Sequence, residues 1–341
     1  MSVLWIGGLA LAALGIAWRV AHRLCDPASR FHLLDAPNHR SLHENPTPRG
    51  GGLGILLGFV LSWGVLWLLI EPAAGSWTFW PGVLAAAAVS FQDDRQSLSP
   101  GVRLLSQGLL VLFLGFGGFL LTGLDFPLFG HLSMGYVGWL FSALFVFWMV
   151  NLYNFMDGMD GFAAGMGLFG FGFLALHGWM GGALFFFATA LLLASANLGF
   201  LLVNFPPARI FMGDVGSVSM GFMAAALSLW GVRDGLFPLW VPVLTFSPFI
   251  VDATLTLIRR VVRREKILQA HRSHFYQWLV QRGWGHRRTV LWEYTVMAAA
   301  GVSAWWMVHR SEEMVQALGL VGWSLGYLGL YLGRYVVERR G

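Results

Sequence analysis

Charged residues in this chain fall almost entirely in short segments between long apolar runs, and that pattern restricts the solvent the chain can fold in. A helix needs roughly 20 apolar residues to cross about 30 Å of hydrocarbon. Such stretches run near 2–20, 51–70, 77–92, 102–122, 135–152, 160–178, 182–203, 215–231, 236–258, 289–308 and 316–337. Only 11% of residues are charged and 57% are hydrophobic, whereas soluble domains carry about 25% charge. So little charge cannot cover a water-facing surface. The expected fold is therefore an all-α polytopic membrane protein of about eleven transmembrane helices. Residues 1–341 read as a single integral membrane domain, because the longest polar stretches, 21–50 and 259–288, are too short to fold alone. The lone cysteine, Cys25, excludes an intramolecular disulfide framework.

Basic residues set the expected orientation. Arg19, His22 and Arg23 follow the first apolar run instead of preceding it. That order argues against a cleaved signal and for an N-terminus outside. The cytoplasmic segments are then 21–50, 93–101, 153–159, 204–214, 259–288 and the C-terminal end. Of 22 Lys and Arg, only Arg233 and Arg310 fall in outside loops, as the positive-inside rule requires. Basic loops at a membrane surface meet anionic lipid, and no nucleic-acid partner is expected.

The same orientation places five carboxylates at the cytoplasmic surface: Asp93, Asp94, Asp157, Asp160 and Asp214. Gathered at one face, they would repel and hold raised pKa values unless cations neutralised them. Oxygen ligands beside phosphates suit Mg²⁺, with Mn²⁺ as a substitute. Each motif also has a plain structural reading. Asp93-Asp94 suits a solvated helix end. Asp157 and Asp160, three apart and flanked by Gly158 and Gly161, suit either a ligand-facing helix turn or an ordinary tight turn. Asp214 suits a helix cap or an anion or metal site at a helix N-terminus. In the 259–288 loop, His271, Arg272 and His274 suit phosphate oxygens better than a metal. Arg40, His43 and Arg49 run into Gly50-Gly51-Gly52, whose N–H groups beside a cation suit phosphate. Asp252 lies within a span, as a structural or a pathway group.

These motifs resemble those of the polyprenyl-phosphate N-acetylhexosamine-1-phosphate transferases, of the glycosyltransferase family 4 type. The pieces are Asp93-Asp94, Asn154-x-x-Asp157-Gly-x-Asp160-Gly, Asn204 to Ser217 with Phe211-Met-Gly-Asp214, and His271-x-x-His274, in the family's order. The resemblance implies transfer of a sugar phosphate from a UDP-N-acetylhexosamine to undecaprenyl phosphate, releasing UMP, at the cytoplasmic face of a bacterial inner membrane. It implies Asp214 as the main Mg²⁺ ligand with Asp94. It implies Asn154, Asp157 and Asp160 on the nucleotide and metal side, and Asn204 and Phe211 as uridine contacts. Asp93 and Asp94 would lie near the lipid phosphate, with Asp93 the favoured base, and His271, Arg272 and His274 would hold the sugar diphosphate. A second copy of the chain is a candidate partner. The peptidoglycan branch carries consecutive histidines in the last cytoplasmic loop. Here the loop reads His271-Arg-Ser-His274-Phe-Tyr-Gln277, closer to the branch that initiates O-antigen or capsular glycans with GlcNAc or 6-deoxy N-acetyl sugars. The rivals are a Mg²⁺-dependent intramembrane prenyltransferase, which needs two Asp-rich blocks, and a transporter of anionic lipid, which needs ionisable groups at mid-membrane.

Overall fold

The computed structural model describes residues 2–29, 33–37, 42, 45–96, 98–266, 271–310 and 312–340. Helix α1 (Ser2–Leu24) leads to the antiparallel strands β1 (Leu33–Asp35) and β2 (Thr47–Arg49), and then to α2 (Gly52–Leu69). Next come α3 (Phe79–Gln96) and α4 (Pro100–Phe116). The latter starts at Pro100, a residue whose fixed φ suits a first helical turn, with the Ser99 hydroxyl accepting from Val102 N–H. A second antiparallel hairpin, β3 (Gly123–Phe126) and β4 (Gly130–Ser133), precedes α5 (Tyr136–Met156). Helices α6 (Phe162–Met180), α7 (Leu184–Asn204) and α8 (Gly213–Arg233) follow, then α9 (Trp240–Thr245), α10 (Ser247–Val262), α11 (Phe275–Leu279), α12 (Gly285–Val308) and α13 (Glu313–Arg340).

Every apolar stretch of the sequence contains a helix, but among the described residues seven helices are long and apolar enough to cross a membrane: α1, α2, α5, α6, α7, α8 and α13. The chain is a multi-pass membrane protein. The difference from eleven has local causes. The stretch at 236–258 is broken: α9 stops at Thr245 and α10 restarts with Pro248 in its first turn. Helix α4 is 17 residues long. Helix α3 ends in Gln92-Asp93-Asp94-Arg95-Gln96, and α12 begins with His286, Arg287 and Arg288.

The centre of the bundle is α8, which packs against α2, α3, α5, α6 and α7. Lipid tails are as apolar as these helices, so close packing supplies the association. Gly221 provides it by lying against the Met149 carbonyl and Val150 Cα of α5. One half of the bundle is filled by aromatic rings. Trp63 is fully buried, stacks on Phe59, meets Trp80 at 4.6 Å, and donates from Nε1 to Thr189 Oγ1 at 3.0 Å. That half is closed by Arg233, whose guanidinium donates to the carbonyls of Ala74 and Gly117. Helix direction alternates, so the N-termini of α2, α4, α6, α8 and α12 and the C-termini of α3, α5, α7 and α10 gather at the opposite end. The polar motifs lie there.

Candidate active site

The site is built on the first turn of α8. Its unpaired amides carry partial positive charge, and Gly213 enters the turn in the left-handed region at φ 75°. The Gly213 and Val215 amides lower the pKa values of the Asp157 and Asp94 carboxyls respectively, against the burial that raises them. Asp214 projects from between them, its Oδ1 accepting from Asn154 Nδ2 at 2.9 Å. The same Asn154 amide reaches Ser217 Oγ at 3.0 Å. Asp94 from α3, Asp157 from the end of α5 and Asp214 from α8 are thus brought to one point. Burial, then the nearby Asp214 charge, pushes the Asp94 carboxyl up to about 6, against a lowering by Arg49. The same two causes, in the same order, hold the Asp157 carboxyl well above the usual carboxylate range. Carboxylates that repel in this way attract a hard divalent cation. Among the described residues, no three or more His, Cys, Asp or Glu form a group that could hold a metal ion by themselves. An ion that takes one or two carboxylates and completes its shell with phosphate oxygens and water still fits this site.

Arg49 faces the cluster from β2. Its Nη2 donates to the Asp94 carbonyl at 2.8 Å and its Nη1 lies 3.6 Å from Asp94 Oδ1. The segment is tied to α8: Phe211 N–H bonds the Pro48 carbonyl, and Gly51 and Gly52 N–H bond the carbonyls of Phe211 and Met212 at 2.9 Å. The amides of Gly51 and Gly52, expected to face phosphate, are therefore engaged within the protein. A Cβ on Gly52 would overlap Gly216 of α8, so glycine there lets the first turns of α2 and α8 touch. Phe211 is half-buried at the edge of this junction. Arg40 and His43 lie outside the described residues.

Asp93 differs from its neighbour. Arg103 of α4 grips both its oxygens, Nε to Oδ2 at 2.8 Å and Nη2 to Oδ1 at 2.8 Å, and Leu98 N–H donates to Oδ1 at 2.7 Å. A forked pair fixes the carboxylate and engages both its oxygens, an arrangement at odds with the general base expected at this position. Beside the pair, between α3, α4, α5 and α8, a cleft runs into the bundle. Its mouth carries Asp93, Arg103 and Asp214, and its walls include Val89, Leu110, Val150 and Val218.

Asp160 stands apart from the three-carboxylate cluster. Its Oδ2 accepts from Ala208 N–H at 3.0 Å and its Oδ1 lies 3.1 Å from His286 Nδ1. Asn204 is buried, with its carbonyl accepting from Gly161 N–H at 2.9 Å and its amide donating to the Ile210 carbonyl at 2.8 Å. Both side chains join the 157–161 and 205–211 loops.

The histidine loop reaches the site through its backbone and Tyr276. A Cβ on Gly158 would overlap Tyr276 Oη, so the Asp157–Asp160 turn packs on α11. Asp252 anchors that helix: it accepts from Phe275 N–H at 2.8 Å, Tyr276 N–H at 3.2 Å and Tyr331 Oη at 2.8 Å. His274 is buried, its Nδ1 3.4 Å from Asp252 Oδ1. His271 is half-buried, and burial followed by the charge of His274 and Arg260 brings its ring down to about 4. Arg272 is exposed. The Ser273 carbonyl between them accepts from Arg259 at 2.8 Å and Arg334 at 3.1 Å.

Sequence reasoning missed Arg103, His286 and the anchoring role of Asp252. Arg103 was visible as the one basic residue of α4, following a paired-acid motif. His286 stood in no motif.

Residues 76–232 match glycosyl transferase family 4. The chain is 32% identical over 284 residues to a probable undecaprenyl-phosphate N-acetylglucosaminyl 1-phosphate transferase of Bacillus subtilis, covering 81% of this chain and 78% of that one. It is 35% identical over 303 residues to a decaprenyl-phosphate N-acetylglucosaminephosphotransferase of Mycobacterium tuberculosis, covering 77% and 73%. To an undecaprenyl-phosphate alpha-N-acetylglucosaminyl 1-phosphate transferase of Escherichia coli it is 25% identical over 318 residues, covering 88% and 84%. With its paired acids, its Asn154 to Asp160 block and its Phe211 to Asp214 turn assembled at one end of a membrane bundle, the chain belongs to the polyprenyl-phosphate N-acetylhexosamine-1-phosphate transferases of glycosyl transferase family 4.

Proposed function

We propose that this protein transfers N-acetylglucosamine-1-phosphate from UDP-N-acetylglucosamine to undecaprenyl phosphate at the cytoplasmic face of the membrane, releasing UMP and starting a cell-surface glycan. The convergence of Asp94, Asp157 and Asp214 on the α8 N-terminus, beside a cleft with a charged mouth and apolar walls, carries this reading. The sugar is the one that the relatives transfer, N-acetylglucosamine-1-phosphate. The O-antigen or capsule assignment rests on the form of the histidine loop alone.

In this account the isoprenoid enters along the apolar walls and its phosphate stops at Arg103 and Asn154. A phosphate oxygen of the lipid attacks the β-phosphorus of the donor, the bond to the UMP oxygen breaks, and UMP leaves with the electron pair. Asp214 and Asp94 would hold Mg²⁺, which would offset the charge of the diphosphate and of the departing UMP. The second ionisation of a phosphate monoester lies near pH 6. The acceptor is therefore largely dianionic at neutral pH, and the protein's task is alignment and charge balance more than proton removal. Arg49 adds positive charge on the donor side. Asp93, locked to Arg103, aims that guanidinium at the lipid phosphate. Phe211 offers a face on which a uracil stacks, and His271, neutral at working pH, offers a hydrogen bond in place of a charge.

The test is incorporation of label from UDP-[¹⁴C]GlcNAc into butanol-extractable lipid by purified protein given undecaprenyl phosphate and Mg²⁺. Labelled lipid that disappears with EDTA supports the assignment. A folded protein that labels lipid only from another UDP-sugar corrects the donor, and one that labels none removes the activity.

A further inference from the structure

His286 stands outside every motif, yet it links two of the segments that build the site. It lies half-buried in the first turn of α12. Its Nδ1 is 3.1 Å from Asp160 Oδ1. Asp160 passes the contact on, since its other oxygen accepts from Ala208 N–H at 3.0 Å. Two turns further along α12, Tyr294 donates from Oη to the Gly161 carbonyl at 2.7 Å, while Gly161 N–H bonds Asn204. One helix thus holds the 157–161 turn at two points. Through Asp160 it also fixes the 205–211 loop, which ends at Phe211.

Both oxygens of Asp160 meet protein groups, so its carboxylate is a tie point between loops. Removing one partner of such a pair leaves the other unsatisfied and lets the loops it joined separate. Burial lowers the His286 pKa, but the Asp160 carboxylate outweighs it and raises the ring above the usual imidazole value.

We propose that His286 is a positioning residue for the donor, clasping the 157–161 turn and the 205–211 loop into the wall that receives the nucleotide end of the UDP-sugar. The lipid acceptor enters on the far side of α8, through the cleft bounded by α3, α4 and α5, and does not depend on this clasp. The inference rests on the transferase reading for its substrate.

The test measures both substrates and the nucleotide alone. His286→Ala and His286→Gln are purified in detergent, checked for an unchanged melting temperature, and titrated with UMP by calorimetry. Initial rates are then measured against UDP-N-acetylglucosamine and against undecaprenyl phosphate. His286→Ala is expected to weaken UMP binding and raise the donor KM by about tenfold or more, the loss of a charge-assisted hydrogen bond. The lipid KM should stay unchanged, and His286→Gln, which keeps a hydrogen bond, should lose about threefold. Should His286→Ala fail to fold, the Gln variant decides by the same split between donor and lipid KM. Wild-type affinity for UMP in both variants, or a fall in kcat with both KM values unchanged, overturns the clasp. Wild-type protein that binds UMP but turns over no donor sinks the transferase reading, while UMP titration of the variants still decides the role of His286.

Discussion

Asp94, Asp157 and Asp214 repel one another while the site holds no cation, and that conflict gives the first prediction. Asp214→Asn or Asp94→Asn removes one of the opposing charges. The variant should melt no lower than the native protein, yet lose turnover by about 100-fold or more, as when a group acting on transition-state charge is deleted. Melting curves and product assays on the same sample check it, and retained turnover in either variant would remove the cation assignment. A second prediction concerns His271. Its folded pKa, about 4, lies below the usual 6.5, so the folded protein takes up the proton less readily than the unfolded chain. The sign follows: His271 adds stability near neutral pH, and this is lost as pH falls from 6.5 toward 4. His271→Gln should flatten that part of the stability–pH curve, and an unchanged curve would contradict it. The acidic motifs were legible because acids are so scarce in this chain that each position carries information. Arg103 and His286 were not, since a single basic residue at a membrane surface is ordinary. Only the fold brings Arg103 to Asp93 and His286 to Asp160.

At the scale of helices, the site depends on how closely two N-termini approach. A Cβ on Gly52 would overlap Gly216, so Gly52→Ala should push α8 from α2 and cut activity more than about tenfold, at a packing cost of about 1–3 kcal/mol. Gly108→Ala in α4, where a Cβ meets open space, is the matched control and should stay near native in both readings. Asp252 makes a different prediction at this scale. It lies in α10 beneath the histidine loop and receives two amides of α11 together with Tyr331. Asp252→Ala should release that loop at a cost of about 3 kcal/mol or more. Faster trypsin cleavage near Arg272 and Arg282 would show it, and unchanged cleavage would return Asp252 to a pathway role. The periodic apolar runs made the long helices readable. The break at Phe246 was not, because an apolar window passes over Pro248, although proline readily restarts a helix in its first turn. The five-residue α11 was equally hidden, since two of its first amides bond Asp252 of the distant α10, alongside the local bond from His274 N–H to Gln277 Oε1.

For the whole molecule, the bundle has a polar end holding the acids and histidines and an aromatic end closed by Arg233. We propose from the distribution of lysines and arginines that the polar end faces the cytoplasm. Single cysteines at exposed positions such as Arg272 and Phe129, in a Cys25→Ser background, test the topology with a membrane-impermeant maleimide. Phe129 should label in intact cells and Arg272 only after permeabilisation; the reverse pattern would invert the protein. Segregation of chemistry to one surface also distinguishes an enzyme working on a membrane-embedded acceptor from a carrier with groups at mid-membrane. The measurement closest to the central claim is UMP release by the detergent-purified protein, with UDP-N-acetylglucosamine, undecaprenyl phosphate and Mg²⁺ supplied together and each omitted in turn. UMP that appears only when all three are present, and not from folded Asp214→Asn, is the predicted result. UMP released without the lipid, or equally by Asp214→Asn, would contradict a transfer organised on the first turn of α8.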